Sequence, residues 1–432
     1  MKIRNLLLAF CCLLVFVAFG VWYFHNWVVQ KPFGIILFIG DGMVSGNLTA
    51  ARVYHEGGVD HPLTVETLPH LALLSNYSND FAVPDSAAAA TSLATGVKVN
   101  NKSVAIDPDG RNLASILDAA RLEGRATGVI SNGSLTDPGV AAFYAHAKDG
   151  KDAESIAAQF VDGAKLDVAL GGGAANFSPL TEGGIRKDGR DLLLELKKSG
   201  RPMVRSKAEL ENAPVFGSAH LVGLFSDGNM AFSNELASGS QQPSLSDMVR
   251  RAIELLQYNE HGYLLVVDAE LITRAAEQND GEHVLTETVA FDNALATALS
   301  YAGKKALIVA VGKHGTGGMA LNGYPFRQDH GVAVLGINPD GYPSITWATG
   351  PNGVPPANPR AAPGGAPAAD ATAGKPGDTA AGAAQTEPAA FYGETAINTA
   401  EDVIAVGIGP GSQRLRGFLD NTVIFDMLKA NL

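Results

Sequence analysis

Four short apolar runs, each stopped by glycine or a charged residue, constrain this chain more than any other feature. They are Gly34 to Ile39 (GIILFI), Ala126 to Ser131 (ATGVIS), Gly262 to Asp268 (GYLLVVD) and Ala306 to Val311 (ALIVAV). Continuous apolar runs of this length suit strands buried on both faces, as in a parallel sheet held between two layers of helices. Helical stretches separate them: one beginning near Ser86, then Asn112 to Glu123, Val140 to His146, Glu154 to Asp162, Leu192 to Lys197, Asp247 to Gln257 and Thr286 to Leu299. Val168 to Leu170 adds a strand before three glycines, and Val403 to Ile408 and Thr422 to Leu428 return to strand and helix. The alternation predicts an α/β fold, a mostly parallel central sheet flanked by helices on both faces.

The N-terminus has a different character. Lys2 and Arg4 precede an uninterrupted apolar run from Leu6 to Phe24, which predicts an N-terminal transmembrane helix with its basic flank inside and the bulk of the chain exported. Trp22, Tyr23 and Trp27 suit the membrane interface. Ala18-Phe19-Gly20 also fits a cleavage site, so secretion after signal removal is the alternative. The expected organisation is a membrane anchor or signal segment over 1–30, with membrane contact through 6–24, and one periplasmic or extracellular domain over 31–432. A Pro/Ala/Gly-rich stretch at about 350–390 cannot bury enough surface to offset its ordering entropy, and it reads as a disordered insertion in that domain. Cys11 and Cys12 both lie in the apolar run, so the exported part carries neither thiol nor disulfide. A net charge of −12 with no Lys/Arg-rich run predicts no nucleic-acid partner.

In open α/β sheets, ligands gather beyond the C-terminal ends of the strands. Asp41, Asp268 and the Lys313-His314 pair all stand at such ends, and Asp41, Ser86, Asp268 and His314 are expected to meet there. Val83-Pro84-Asp85-Ser86 followed by four alanines reads as a loop entering a helix, with Ser86 at or near the cap, where free N–H groups and the helix dipole favour an anion. By themselves these residues also fit a capped packing helix, a turn aspartate and, at Gly171-Gly172-Gly173, a close-packed backbone.

Several motifs occur in a telling order: Ile39-Gly40-Asp41-Gly42-Met43, Asp85-Ser86 with Thr91 and Ala94-Thr95-Gly96, Ala141-Ala142-Phe143-Tyr144-Ala145-His146, Gly171-Gly172-Gly173, Glu287-Thr288 with Phe291-Asp292, Thr316-Gly317-Gly318, and Glu401-Asp402-Val403 with Gly409-Pro410-Gly411. From about Gly34 to Met427 the chain resembles the alkaline phosphatases. The resemblance implies that Ser86 is the nucleophile that takes a phosphoryl group, with two zinc ions activating serine and water and a magnesium ion nearby. It also implies a phosphate or other anionic ligand and allows a homodimer, as many relatives form.

The ligand positions depart from the family. Where the family reads Glu-Gly-x-x-Ile-Asp-x-x-x-His, this chain runs from Asp268 to Glu277: the magnesium-binding Glu is Asp268, the zinc-binding Asp is Thr273 and the zinc-binding His is Glu277, a substitute that still has a metal-binding carboxylate. The last zinc-binding His is Asn398. Asp41 and His314 persist at the second zinc site, but the aspartate beside His314 is Lys313, and a protonated Lys cannot ligate. The magnesium-site Thr is Gly139, and the phosphate-clamping Arg aligns with Gly150, near Lys148 and Lys151. The expected protein is a degenerate (pseudo)phosphatase with no metal or one weakly bound metal, acting as an anion-binding or interaction domain. In its sharper form, the Lys313 ammonium sits where a metal lay, pairs with Asp41 and approaches Ser86. The alternatives are an active phosphomonoester hydrolase using Ser86 with a reduced metal set from Asp41, His314, Asp268 and Glu277, or a metal-free hydrolase in which a buried, neutral Lys313 activates Ser86.

Overall fold

The computed structural model describes residues 2–23, 34–55, 60–214, 220–236, 239–303, 305–322, 343–354 and 387–432. The Pro/Ala/Gly-rich insertion falls almost wholly outside the described residues. At its flanks, Ile345–Gly350 pairs in parallel with Ala389–Tyr392.

Ten strands form the central sheet. They include β1 (Gly34–Gly40), β2 (His70–Ser75), β3 (Ala126–Ser134), β4 (Val168–Gly172), β5 (Met203–Val204), β6 (Leu221–Leu224), β7 (Tyr263–Ala269) and β8 (Leu307–Gly312), joined by Val403–Ile408 and Arg416–Asp420. Their order is Arg416–Asp420, β2, Val403–Ile408, β8, β1, β7, β3, β4, β6, β5, and only Val403–Ile408 runs antiparallel to its neighbours. β1 lies between β7 and β8 and is buried along its whole length. Its alternate residues serve two cores: Ile35, Leu37 and Ile39 pack with alanines of the Ser86–Thr95 helix, while Ile36 and Phe38 face the Leu245–Leu256 and Gly281–Tyr301 helices. Phe38 meets Phe291 edge-on with centroids 5.8 Å apart. Helices therefore cover both faces of a mostly parallel sheet. The Lys2–Tyr23 helix stands apart from this core, and its Ile3–Trp22 stretch is apolar and long enough to cross a membrane.

Three local readings change. The helix expected over Asn112 to Glu123 begins only at Ile116, because Ser115 caps it and Asp118 returns a bond to the Ser115 N–H. The helix expected from Val140 to His146 is the short turn Pro138–Ala141. Reciprocal backbone bonds between Val104 and Ala147, and one from the His146 N–H to Gln159, draw the following chain away from the helical path. The cap of the Ser86 helix is Asp85, whose carboxylate accepts from the Ala88 N–H at 2.9 Å. Ser86 is the first helical residue, so its hydroxyl is not used in capping.

Candidate active site at the strand ends

Strand register brings the site together. Gly40 of β1 is level with Ala269 of β7 and Gly312 of β8, so Asp41 and Lys313 leave the sheet side by side, with Asp268 one residue short of the same level. Gly42 then turns sharply at φ +76°, and a Cβ there would lie 2.9 Å from the Thr273 Cα, so only glycine lets the Asp41 turn sit against the Leu271–Glu277 helix. The Lys313 main chain is held at both polar groups: its N–H donates to the Gly40 carbonyl at 3.0 Å, and its carbonyl accepts from Asn76 Nδ2 at 2.7 Å. Asp85 receives the Lys102 N–H and gives its own N–H to Asn101 Oδ1, which fixes the entry to the Ser86 helix.

Lys313 Nζ reaches the centre of the site. It donates to Asp41 Oδ2 and, at 2.6 Å, to Ser86 Oγ. Both Asp41 and Lys313 are 1% exposed. Burial would raise the Asp41 pKa, but Lys313 and His314 reverse this and hold it well below the usual carboxylate range. Burial would likewise lower Lys313, and Asp41 and Asp268 outweigh it, so Lys313 titrates above an ordinary lysine and stays an ammonium. This charge state opposes the metal-free hydrolase, which needs a neutral amine to take the Ser86 proton. Asp268 lies on the other side of Lys313, and burial pushes it up to about 7 despite the nearby ammonium.

A second charge cluster lines the same cleft. Arg274 donates to Glu270 Oε1 at 2.8 Å, to Asp137 Oδ1 at 3.1 Å and to Glu277 Oε2 at 3.1 Å. Glu277 is thus engaged by a guanidinium. The other positions aligned with the water-activating zinc site carry uncharged groups: Thr273 Oγ1 and Thr316 Oγ1 are 2.8 Å apart, and Asn398 gives its amide to the Pro84 carbonyl at 3.1 Å. Gly150 gives its N–H to the Lys102 carbonyl at 2.8 Å, and Lys102 and Lys151 flank it on the wall of a cleft of about 650 Å³ that opens onto Ser86.

Two ligand atoms stand where the family's second zinc would be bound: Asp41 Oδ1 and His314 Nε2, which face each other at 3.0 Å and make no other hydrogen bond. Asp268 also keeps two unpartnered oxygens beside the Lys313 ammonium. A catalytic zinc takes three protein ligands and an open position. Among the described residues no three His, Cys, Asp or Glu side chains are grouped to hold a metal ion. The donors present do not fit two zinc ions and a magnesium ion.

The structure therefore brings together Asp41, Ser86, Asp268, Lys313 and His314, keeps Thr273, Glu277 and Asn398 on the cleft wall, and leaves Gly139 and Gly150 without side chains to contribute. Sequence reasoning gave no role to Arg274, Thr316 or the Asn101-Lys102 pair. Arg274 was the one with a signal, a basic residue placed three before one acid and four after another on a helix.

Comparison with known proteins identifies the family and the fold. The family model for alkaline phosphatase matches residues 34–432. Alkaline phosphatase 4 of Bacillus subtilis is 32% identical over 313 residues, which is 70% of this chain and 65% of that protein. Alkaline phosphatase 3 of the same organism is 33% identical over 300 residues, 66% of this chain and 62% of that protein. The matches thus span a little under two thirds of these relatives. The alkaline phosphatase of the Antarctic bacterium TAB5 superposes with a TM-score of 0.71 at 21% identity, over 93% of this chain and 98% of that one. The Thermus thermophilus enzyme gives 0.72 at 22%, over 93% and 92%. A TAB5 variant is described with magnesium bound. The family match over residues 34–432, on a strand-end site that begins from Asp41 and Ser86, shows that this chain belongs to the alkaline phosphatase family.

Proposed function

We propose that this protein is a degenerate phosphatase with little or no metal-dependent phosphomonoesterase activity, and that its cleft serves to bind a phosphate-like anion or to act as an interaction surface. The observation that carries this reading is the Lys313 Nζ bond to both Asp41 and Ser86. The family's zinc and magnesium supply an activated serine, an activated water and charge neutralisation when bound. Here the residues themselves hold Ser86 Oγ as a hydrogen-bond acceptor. No neutral base stands beside it, since Lys313 is protonated and Asp41 already accepts from Lys313. What remains is suited to binding: a helix N-terminus at Ser86 and the cleft-wall cations Lys102 and Lys151, with the Lys313 ammonium enclosed behind Ser86.

A second reading has its own support. Asp41 Oδ1 and His314 Nε2, which face each other at 3.0 Å and make no other hydrogen bond, would suit two ligands of one zinc ion and a hydrolase of reduced rate. One experiment separates the two: zinc and magnesium content of the purified chain, measured alongside p-nitrophenyl phosphate hydrolysis by wild type and Ser86→Ala. The pseudophosphatase reading expects neither metal near stoichiometry and no hydrolysis above the Ser86→Ala background. Hydrolysis that needs both Ser86 and bound zinc overturns it.

We further propose that the Lys2–Tyr23 helix anchors the domain to a membrane on the exported side, with secretion after cleavage as the alternative. None of its Ile3–Trp22 stretch is buried against the domain, as it would be in a core helix.

A further inference from the structure

We infer that Gly139 and Lys313 form one coupled replacement: the glycine opens a cradle at the strand ends beside Asp268, and the lysine ammonium fills it as a tethered cation bonded to Asp41 and Ser86. This deepens the reading above and rests on it, because it makes the site rebuilt around a new charge instead of merely stripped of ligands.

Steric fit points to the pairing. A Cβ added at Gly139 would fall 2.6 Å from Lys313 Nζ and nearer still to Asp268 Oδ2, distances that real Cβ atoms do not show. No backbone demand accounts for this glycine. It is absent from the positive-φ glycines and lies in the short helix Pro138–Ala141, where alanine would be favoured by about 1 kcal/mol. What glycine supplies there is room for the ammonium.

The ammonium cannot easily make that room itself. Lys313 is pinned at its N–H by Gly40 and at its carbonyl by Asn76, and Nζ is bound to Asp41 and Ser86. An ammonium has three donors. Two are used in these bonds, and Nζ borders the Gly139 space together with an Asp268 carboxylate that has no hydrogen-bond partner. Charge favours the same occupant, since the fully buried Asp41 carboxylate needs a cation beside it.

The test is a double-mutant cycle on the full chain in detergent, after EDTA treatment, with melting temperature as the readout. Gly139→Ala is expected to lower the melting temperature by about 5 °C in the wild-type background and by less than about 2 °C in Lys313→Ala, where the vacated ammonium space lets the Asp268 carboxylate turn aside from the new methyl. Equal drops in both backgrounds overturn the coupling. Should Gly139→Ala not fold, recovery of folded protein in the double variant supports it, and a double variant that stays unfolded while Lys313→Ala folds overturns it. Should Lys313→Ala not fold, Gly139→Ala alone decides: a drop of about 5 °C or more supports the cradle and one under about 2 °C overturns it. An additive cycle defeats this inference and leaves the inactive-phosphatase reading standing. Zinc-dependent, Ser86-dependent hydrolysis by wild type defeats that reading and is seen in the separate metal and activity assay.

Discussion

Two cations stand beside the same cleft, one buried and one partly exposed, and solve different problems. Lys313 is a point charge with its head group fully enclosed, and it leaves Asp41 Oδ1 facing only His314 and both Asp268 oxygens without hydrogen-bond partners. Arg274 is a third exposed and spreads its fork over three carboxylates, Glu270, Asp137 and Glu277, leaving only Glu270 Oε2 unpartnered among their buried oxygens. The ammonium occupies a volume suited to a small ion and compensates charge without satisfying geometry. The guanidinium satisfies geometry and keeps partial access to water. A compact cation can therefore replace a metal's charge while leaving its coordination directions empty, and a planar one cannot enter such a space at all.

The contrast breaks most sharply at Lys313. Lys313→Met keeps most of the length of the side chain, one atom short of Nζ, and removes the charge, leaving Asp41 buried without the ammonium that Nζ supplies. A loss of about 4 kcal/mol in urea unfolding is expected. A loss below about 1 kcal/mol would mean that His314 alone can hold Asp41, and that Lys313 is a bystander.

Asp268 tests the carboxylate side through pH. Its folded value of about 7 lies above the ordinary 3.8, so between those values the folded chain keeps a proton that the unfolded chain releases. The stability this group contributes is complete below about pH 4 and is lost as pH rises through 7. Asp268→Asn removes that loss, so the variant should gain on wild type by roughly 3 kcal/mol between pH 4 and 7. Denaturation midpoints at both ends of the window measure the gain, and a difference that stays flat or changes sign would place the Asp268 proton elsewhere.

Arg274→Lys asks whether the outer cluster depends on shape. A lysine keeps the charge and gives up the fork, so a cost of about 1 kcal/mol is expected, with the greater share of the stability retained because Asp137 and Glu277 are partly exposed and can rehydrate. If this change costs as much as Lys313→Met, the two clusters do not differ in the way their geometry suggests.

Much of the fold was legible because it is written in local pattern. Continuous apolar runs marked β1, β3, β7 and β8, the strands buried on both faces. The sheet margin escaped, since β2 alternates buried Ala72 and Leu74 with exposed Leu71 and Leu73, and the Arg416–Asp420 strand carries mixed side chains at an edge with one neighbour. The cap at Asp85 and the truncated helix after Asp137 were decided by single hydrogen bonds that no composition signals.

At the site, the sequence alone determined which residue types stand at the strand ends: Asp41, Ser86, Asp268, Lys313 and His314 in a frame of family motifs, with Thr273, Glu277 and Asn398 in place of ligands. It could do so because residue identity at a motif position does not depend on geometry. Only the tertiary structure decided what those residues do to one another. The ammonium stays protonated because two carboxylates from different strands outweigh its burial, Glu277 is engaged by Arg274, and Gly139 matters for the side chain it lacks. Each of these is a balance between groups 45 to 272 residues apart or three along a helix, and it exists only once the strand register has brought them within a few ångströms.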